Sequence, residues 1–468
     1  MNFLTNIGSV SSTLGQIDQP LSSSFGGVGG GILLSTSTVI VVSVVVFLLV
    51  IFLLVSLLLF AKAKLAPSGP VKLTINGENE MEVESGGTIL STLGNQKIFL
   101  PSACGGGGTC AMCKCQVFEG GGEILPTEAP YFSRKEIADN WRLGCQVKVK
   151  QDMKIGIPEE IFGIKEFEAT VVSNYNVATY IKEFVVEIPE DMNYEAGGYI
   201  QIKIPACEVK FTDMDITAHP KDHPGEPNKF DSDWSDGPFA MRGLVMKNDE
   251  EVIRAYSMAS YPAEGRNIML NVRVAAPPFD RANNKWADIN PGIASSYIFN
   301  LKEGDKCTIS GPYGEFFIKP GDSEMLYIGG GAGMAPMRSH IYQLFRTLET
   351  GRKVSYWYGG RSRAELFYIH YFREIEKHFP NFKFYMVLSD AKPEDNWVEK
   401  KDINDPEGDG FVGFVHNQVI EQYLSKHDSP EDIEFYFCGP PMMNQAVIKM
   451  CDDWGVPPEN VAFDDFGS

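Results

Sequence analysis

Four cysteines constrain this chain more than any other residues. Cys104, Cys110, Cys113 and Cys145 are spaced C-x5-C-x2-C-x31-C, and the run Gly105-Gly106-Gly107-Gly108 separates the first two. Three thiolates in a tight loop plus one distant thiolate are the arrangement that holds a [2Fe–2S] cluster. Glycines in that loop let backbone N–H groups approach the sulfurs and let the chain adopt positive φ. The first gap is one residue longer than in the plant-type spacing, but the chemistry is the same. A structural zinc site is the alternative. Zinc ligands usually come as two close pairs and have no use for four consecutive glycines. Cys115, Cys207, Cys307, Cys438 and Cys451 remain, odd in number and scattered. They make no disulfide framework, so a reducing compartment is expected.

Val39 to Phe60 is a run of 22 apolar residues broken only by Ser43 and Ser56. As a helix it is ~33 Å long, enough to cross a hydrocarbon core. A secretory signal is the rival reading, but residues 1–60 hold one charge, Asp18, and no basic leader. Lys62, Lys64 and Lys72 follow the run, whereas residues 1–38 contain no Lys or Arg. The positive-inside rule then places the C-terminal part in the cytoplasm. The expectation is a single-pass protein of a bacterial cytoplasmic (inner) membrane. No ionisable residue lies in the span, so the helix offers no path for an ion. The net charge of −20 argues against nucleic acid as a partner.

The rest divides by pattern. Residues 1–38 read as a flexible periplasmic tail, 39–60 as the anchor and 66–70 as a linker. Val71, Leu73 and Ile75 alternate up to Asn76-Gly77, a hairpin signal. With Met81 and Val83 in the second strand, a helix starting near Thr88 and a closing strand Gln146–Lys150, residues 70–152 read as a β-grasp ferredoxin domain. Residues 155–320 carry short strands at 168–172, 181–188, 199–204, 254–258 and 267–274, which suggests an antiparallel barrel. Residues 211–250 interrupt them and read as a solvated loop insertion. His219 and His223 within it are spaced to share a metal, although Pro220 and Pro224 argue against a helix there. From 321 to 468 strands (325–328, 354–358, 382–388, 435–437) alternate with helices, one of them carrying Leu366, Phe367 and Tyr368. This pattern is that of a parallel, dinucleotide-binding sheet.

Two further motifs carry chemistry. Gly329-Gly330-Gly331-Ala332-Gly333-Met334-Ala335-Pro336 lies between a strand and a helix, where a pyrophosphate can meet backbone amides. Pro336 stands where a third glycine is usual, and a plain turn is the bland reading. Cys438-Gly439-Pro440-Pro441 at the end of a later strand strengthens the nucleotide reading. Arg254-Ala255-Tyr256-Ser257 offers a cation, an aromatic ring and a small hydroxyl, which a flavin needs for its phosphate, ring and N5. An ordinary amphipathic strand is the alternative. Gly292-Ile293-Ala294-Ser295-Ser296 opens a helix suited to the flavin pyrophosphate.

Taken together, R-x-Y-S, G-P-x-G (Gly311 to Gly314), G-G-G-x-G-x-x-P and C-G-P-P resemble the ferredoxin–NAD(P)⁺ reductase-type flavoenzymes. With the anchor, the cysteine set and the ending Asp464-Asp465-Phe466-Gly467, residues 38–468 resemble the family of F subunits of the Na⁺-translocating NADH:quinone oxidoreductases. The resemblance implies that Arg254, Tyr256 and Ser257 hold FAD and that Ser295 and Ser296 meet its phosphates. It implies that Gly330, Gly331, Gly333, Pro336, Cys438 and Pro440 line the NADH site. Phe466 would stack on the flavin where nicotinamide must enter, unless it is only a mobile chain end. Ser257, Cys438 and Phe466 are thus the expected catalytic residues, and Cys104, Cys110, Cys113 and Cys145 the iron ligands. Electrons are expected to pass from NADH to FAD, to [2Fe–2S], to other membrane subunits of the complex, and through them to quinone. The rival readings are a membrane-anchored reductase supplying an oxygenase and a tethered, non-enzymatic redox sensor. Nicotinamide choice is open at this stage, because Arg361 and Arg363 could meet a 2′-phosphate or simply be solvated.

Overall fold

The computed structural model describes residues 36–65, 69–237 and 239–465. The chain divides into two units, split after Ala66. The described part of the first is one helix, Thr36–Leu65. Its side chains from Ile40 to Leu58 are exposed on every face. That stretch is long and apolar enough to cross a membrane. The expected tail before Thr36 lies outside the described residues.

The second unit begins with a five-stranded sheet of β1 (Pro70–Ile75), β2 (Asn79–Glu84), β3 (Lys114–Glu119), β4 (Trp141–Leu143) and β5 (Met153–Gly156), in the order β2-β1-β5-β3-β4. Asn76 and Gly77 take φ of 52° and 76°, which lets β1 and β2 join through a tight turn. The helix Ile89–Asn95 is capped by Thr88, whose hydroxyl accepts from Ser91 N at 3.1 Å. Its Ile89 and Leu93 bury against Leu73, Ile75 and Val149. One expectation fails here. The closing strand is β5, not 146–150. Val147 and Val149 do alternate inward, but their backbone bonds go to Ile89 and Gly87 rather than to a ladder.

Next come β6 (Lys165–Ala178), β7 (Ile181–Glu187), β8 (Tyr199–Ile204), β9 (Cys207–Lys210), β10 (Val245–Asn248), β11 (Val252–Ser257), β12 (Asn267–Arg273), the two-residue pair β13 (Phe279–Asp280) and β14 (Lys285–Trp286), and β15 (Lys306–Tyr313). Six of them form an antiparallel sheet, β11-β8-β15-β6-β7-β12. The sheet curls, and its edges meet at the single bridge Met258–Leu270, so the barrel is not fully laddered. The 211–250 segment is not a solvated loop. It leaves between the paired β9 and β10 and drives Phe211, Phe230, Trp234 and Met241 into the barrel core. Trp234 Nε1 donates to Thr179 O at 2.7 Å. Its two histidines do not share a site. His219 faces Asp222 and Glu183, while His223 bonds Val177 O.

The chain ends in a parallel sheet of β16 (Met325–Gly330), β17 (Val354–Gly360), β18 (Phe382–Leu388), β19 (Phe411–Val412), β20 (Glu434–Cys438) and β21 (Val461–Asp464), ordered β19-β18-β17-β16-β20-β21. Its inner strands are mostly apolar because both faces are covered, by separate cores. Chain order runs outward from β16 through β19, then reverses to β20. The reversal leaves a crevice between the carboxyl ends of β16 and β20, where such sheets bind ligands. Leu366–Tyr368 are not helical as expected. Tyr368 has φ 62° and precedes the helix Ile369–His378. The helix Met334–Tyr342 pins this sheet to the barrel. Its buried Arg338 reaches Glu264 Oε1 at 2.7 Å and Ala259 O at 2.7 Å. Ser339 Oγ donates to Ser260 O at 2.7 Å. Arg338 is buried while Glu264 is partly exposed, and these bonds join the two domains.

Candidate functional site

The cysteine loop runs from Leu100 to the start of β3. Gly105, Gly106 and Gly108 have φ of 64°, 95° and 76°, which no β-carbon would tolerate at so many adjacent positions. The turn gathers the thiols as two pairs. Cys110 Sγ donates to Cys104 Sγ at 3.3 Å, and the free thiols of Cys113 and Cys145 lie together in one buried cluster. Cys104 is held well below the ordinary thiol range, first by the Cys110 hydrogen bond and then, against burial, by the N–H groups of Thr109, Cys110 and Gly106. Cys145 is lowered in the same way, first by Cys113, with Gln146 adding. The same bonds push the partners Cys110 and Cys113 up, with burial adding, so each pair sets one stabilised thiolate beside one thiol. Among the described residues no three His, Cys, Asp or Glu converge as a mononuclear metal site requires. Cys104 with Cys110 and Cys113 with Cys145 would hold a two-iron cluster, which would supply one-electron chemistry there. The donor set therefore fits a [2Fe–2S] cluster better than zinc. Cys145 is placed by β4 just before it. There Arg142 Nε donates to buried Glu128 at 2.6 Å, and Glu128 also accepts from Leu143 N at 3.1 Å.

On β11 side chains alternate. Tyr256 packs toward the barrel core, while Ala255 packs against the ferredoxin core. Ser257 is buried at the strand end. Its Oγ donates to Asp464 Oδ2 at 2.5 Å. Asp464 closes β21 and pairs in register with Cys438 on β20. Burial pushes the Asp464 carboxyl up, and the Ser257 hydrogen bond partly offsets this. Burial also raises the Cys438 thiol well above its ordinary range, with Asp464 and Asp465 adding, so Cys438 stays protonated. Ser257 and Cys438, which the motifs singled out separately, thus meet through Asp464. The motifs gave Asp464 no role. It lies in the ending Asp464-Asp465-Phe466-Gly467, but its partner is 207 residues away.

The glycine loop after β16 lies against the Cys438-Gly439 turn after β20. A β-carbon on Gly333 would stand 2.1 Å from Cys438 O, and one on Gly330 2.9 Å from Met443 Sδ. Gly331 has φ 57°. Pro336 sits in the first turn of its helix, where a missing N–H costs nothing. Pro440 caps the next helix, Pro441–Asp453. The two turns therefore pack backbone on backbone, and Gly331 and Ala332 are left as the partly exposed backbone of the crevice. In the helix Ile293–Asn300 the two serines differ. Ser295 Oγ accepts from Ala275 N at 3.1 Å and donates to Gly292 O at 3.2 Å. Ser296 Oγ is buried and has no hydrogen-bond partner among the described residues. Arg254 turns its guanidinium to Ile253 O at 2.7 Å. Phe466 lies outside the described residues. Arg361 and Arg363 face Asp390 at 3.8 Å and Asp409 at 3.9 Å.

Known proteins resemble this chain at every level. Residues 73–150 match the 2Fe-2S iron-sulfur cluster binding domain, 239–318 the oxidoreductase FAD-binding domain and 327–449 the oxidoreductase NAD-binding domain. The F subunit of the Na(+)-translocating NADH-quinone reductase of Pseudomonas aeruginosa (strain UCBPP-PA14) is 50% identical over 414 residues, 88% of this chain and 95% of that one. Its namesake in Neisseria meningitidis serogroup B is 50% identical over 413 residues, with the same coverage. Among solved structures, an Amycolatopsis cytochrome P450 reductase superposes with TM-score 0.56 at 22% identity, covering 85% of this chain and 98% of that one. The ferredoxin reductase of a carbazole 1,9a-dioxygenase gives 0.52 at 22%, covering 85% and 99%. These two likenesses speak for the fold alone.

Proposed function

The chain belongs to the family of F subunits of the Na(+)-translocating NADH-quinone reductases, and we propose from that membership that it is where electrons enter such a complex. It is an oxidoreductase with binding domains for NAD, FAD and a 2Fe-2S cluster. The domains are taken as 70–152 for the cluster, 155–320 for FAD and 321–468 for NADH. FAD, when bound, accepts a hydride and releases electrons singly; the cluster accepts one at a time.

The observation that carries this reading is the position of β11. At its end Ser257 holds Asp464 of the nucleotide domain. At its middle, Gly105 of the cysteine loop abuts Ile253 O and the Arg254 guanidinium, both within 2.5 Å of where a β-carbon would stand. One strand thus borders the hydride side and the iron side. In this reading Arg254 and Ser296 hold flavin phosphates, Tyr256 packs by the ring, and Ser257 orients N5 with Asp464 as its acceptor. Gly330, Gly331, Gly333, Pro336 and Pro440 leave room for NADH, whose nicotinamide comes beside Cys438. The carboxylates at Asp390 and Asp409 disfavour a 2′-phosphate, which supports NADH over NADPH. Partner subunits in the membrane take the electron on to quinone, and the lysines after the apolar helix favour the cytoplasmic side for the redox domains. The test is NADH-dependent quinone reduction by membranes holding the complex, with and without Na⁺. Na⁺-stimulated turnover lost on deletion of this chain supports the assignment, and Na⁺-independent turnover contradicts it.

A further inference from the structure

The ferredoxin domain does not merely neighbour the barrel; it shares a core with it. Tyr199 and Tyr313, both barrel residues, are buried in the same apolar cluster as Leu73, Leu100 and Ile155 of the ferredoxin domain. Their rings stack at 5.2 Å and 16°. Tyr199 begins β8 and is the register partner of Ser257 on β11. Its hydroxyl lies 3.9 Å from Met112 Sδ, and Met112 stands between the ligands Cys110 and Cys113. One residue therefore touches the cluster loop through its side chain and the flavin-side serine through its backbone. Burial raises the Tyr199 phenol first, and Tyr313, Cys110 and Asp464 add to this, which places the hydroxyl within electrostatic reach of both sides.

We infer that Tyr199 is a positioning residue for electron transfer: its ring seats the Cys110–Cys113 segment against the end of the flavin strand and so sets the rate of flavin-to-cluster transfer. This rests on the electron path of the proposed function. In the step concerned, one electron leaves the two-electron-reduced flavin and one iron of the cluster goes from ferric to ferrous. No bond is made or broken. Aromatic–sulfur contacts are favourable in their own right, but the shared core makes the ring the main support. Phe keeps the ring and Leu does not.

The test uses the full chain, loaded with FAD and cluster, as wild type, Tyr199→Phe and Tyr199→Leu. After rapid mixing with NADH, flavin bleaching reports the hydride step and freeze-quench EPR reports cluster reduction. Tyr199→Leu should slow cluster reduction about tenfold, equivalent to ~1.4 kcal/mol, with flavin bleaching and the EPR g-values unmoved. Tyr199→Phe should restore the wild-type rate. Hydrogen exchange in the chain without cofactors gives a second readout: backbone amides of 104–113 should exchange faster in Tyr199→Leu than in Tyr199→Phe. If Tyr199→Leu fails to fold, Met112→Ala removes the other side of the same contact and should slow cluster reduction likewise. Equal cluster-reduction rates in Tyr199→Leu, or in Met112→Ala, and wild type would overturn the inference. A wild-type cluster that NADH never reduces would instead overturn the electron path itself.

Discussion

Replacing Gly333 by Ala strikes the proposed nucleotide crevice at its tightest point. The new methyl would sit 2.1 Å from Cys438 O and 2.7 Å from Gly439 N. Both are backbone atoms, so the loop after β16 or the turn after β20 must move. Overpacking of this kind costs about 1–3 kcal/mol. If that cost falls on nucleotide binding, the KM for NADH rises about 5- to 150-fold. Gly331→Ala separates sterics from backbone strain. Its β-carbon meets only Ile181 Cδ1, at 3.7 Å, but φ is 57°. Left-handed backbone costs an L-residue about 1–2 kcal/mol, so a smaller rise follows. Gly351, with open space around it, is the control. The assay is steady-state NADH oxidation with menadione, with flavin content measured in each variant. A Gly333→Ala enzyme with full flavin and the KM of the Gly351→Ala control would refute the placement of NADH in this crevice.

Further outcomes follow from the same geometry. Cys110→Ala should abolish the cluster's EPR signal and quinone reduction through the complex while NADH:menadione activity survives; persistent quinone reduction would break the linear path. The Asp464 carboxyl has a raised pKa, so its protonated form is favoured by folding and its charge is a growing penalty as pH rises through that pKa. The melting temperature of Asp464→Asn relative to wild type should therefore climb as pH rises from the ordinary carboxylate range and level off above the raised pKa. A difference that shrinks with pH would contradict the burial argument. Removing residues 466–468 should change NADPH/NADH discrimination, measured as the ratio of kcat/KM values; identical ratios would show that Phe466 is not over the flavin. Asp390→Ala should raise NADPH use by freeing Arg361, and an unchanged ratio would place the 2′ position elsewhere.

Much of this was legible in the sequence because it is local chemistry. The cysteine spacing, Asn76-Gly77 and the glycine loop after β16 each act through neighbouring residues. What the sequence hid was set by distant packing. Val147 and Val149 alternate like a strand, yet they line a core beneath the helix Ile89–Asn95, and their amides bond outside any ladder. The 211–250 segment looks solvated because its anchors, Phe211, Phe230 and Trp234, are isolated among Asp, Pro and Lys. Each is nonetheless fully buried. Leu366-Phe367-Tyr368 has helical composition, but the left-handed Tyr368 turns the chain and sends its hydroxyl to Glu183 at 2.7 Å across the domain boundary. At the candidate site the motifs identified Ser257 and Cys438 and quoted Asp464 without giving it a role, because the bond from Ser257 to Asp464 spans two domains.

The most direct measurement of the central claim is an anaerobic titration of the isolated, cofactor-loaded full chain with NADH, followed by absorbance and EPR together. About one FAD and two irons per chain are expected. Flavin bleaching should be accompanied by the EPR signal of a reduced [2Fe–2S] cluster without any other protein present. Full flavin reduction with a cluster that remains oxidised and EPR-silent would contradict it.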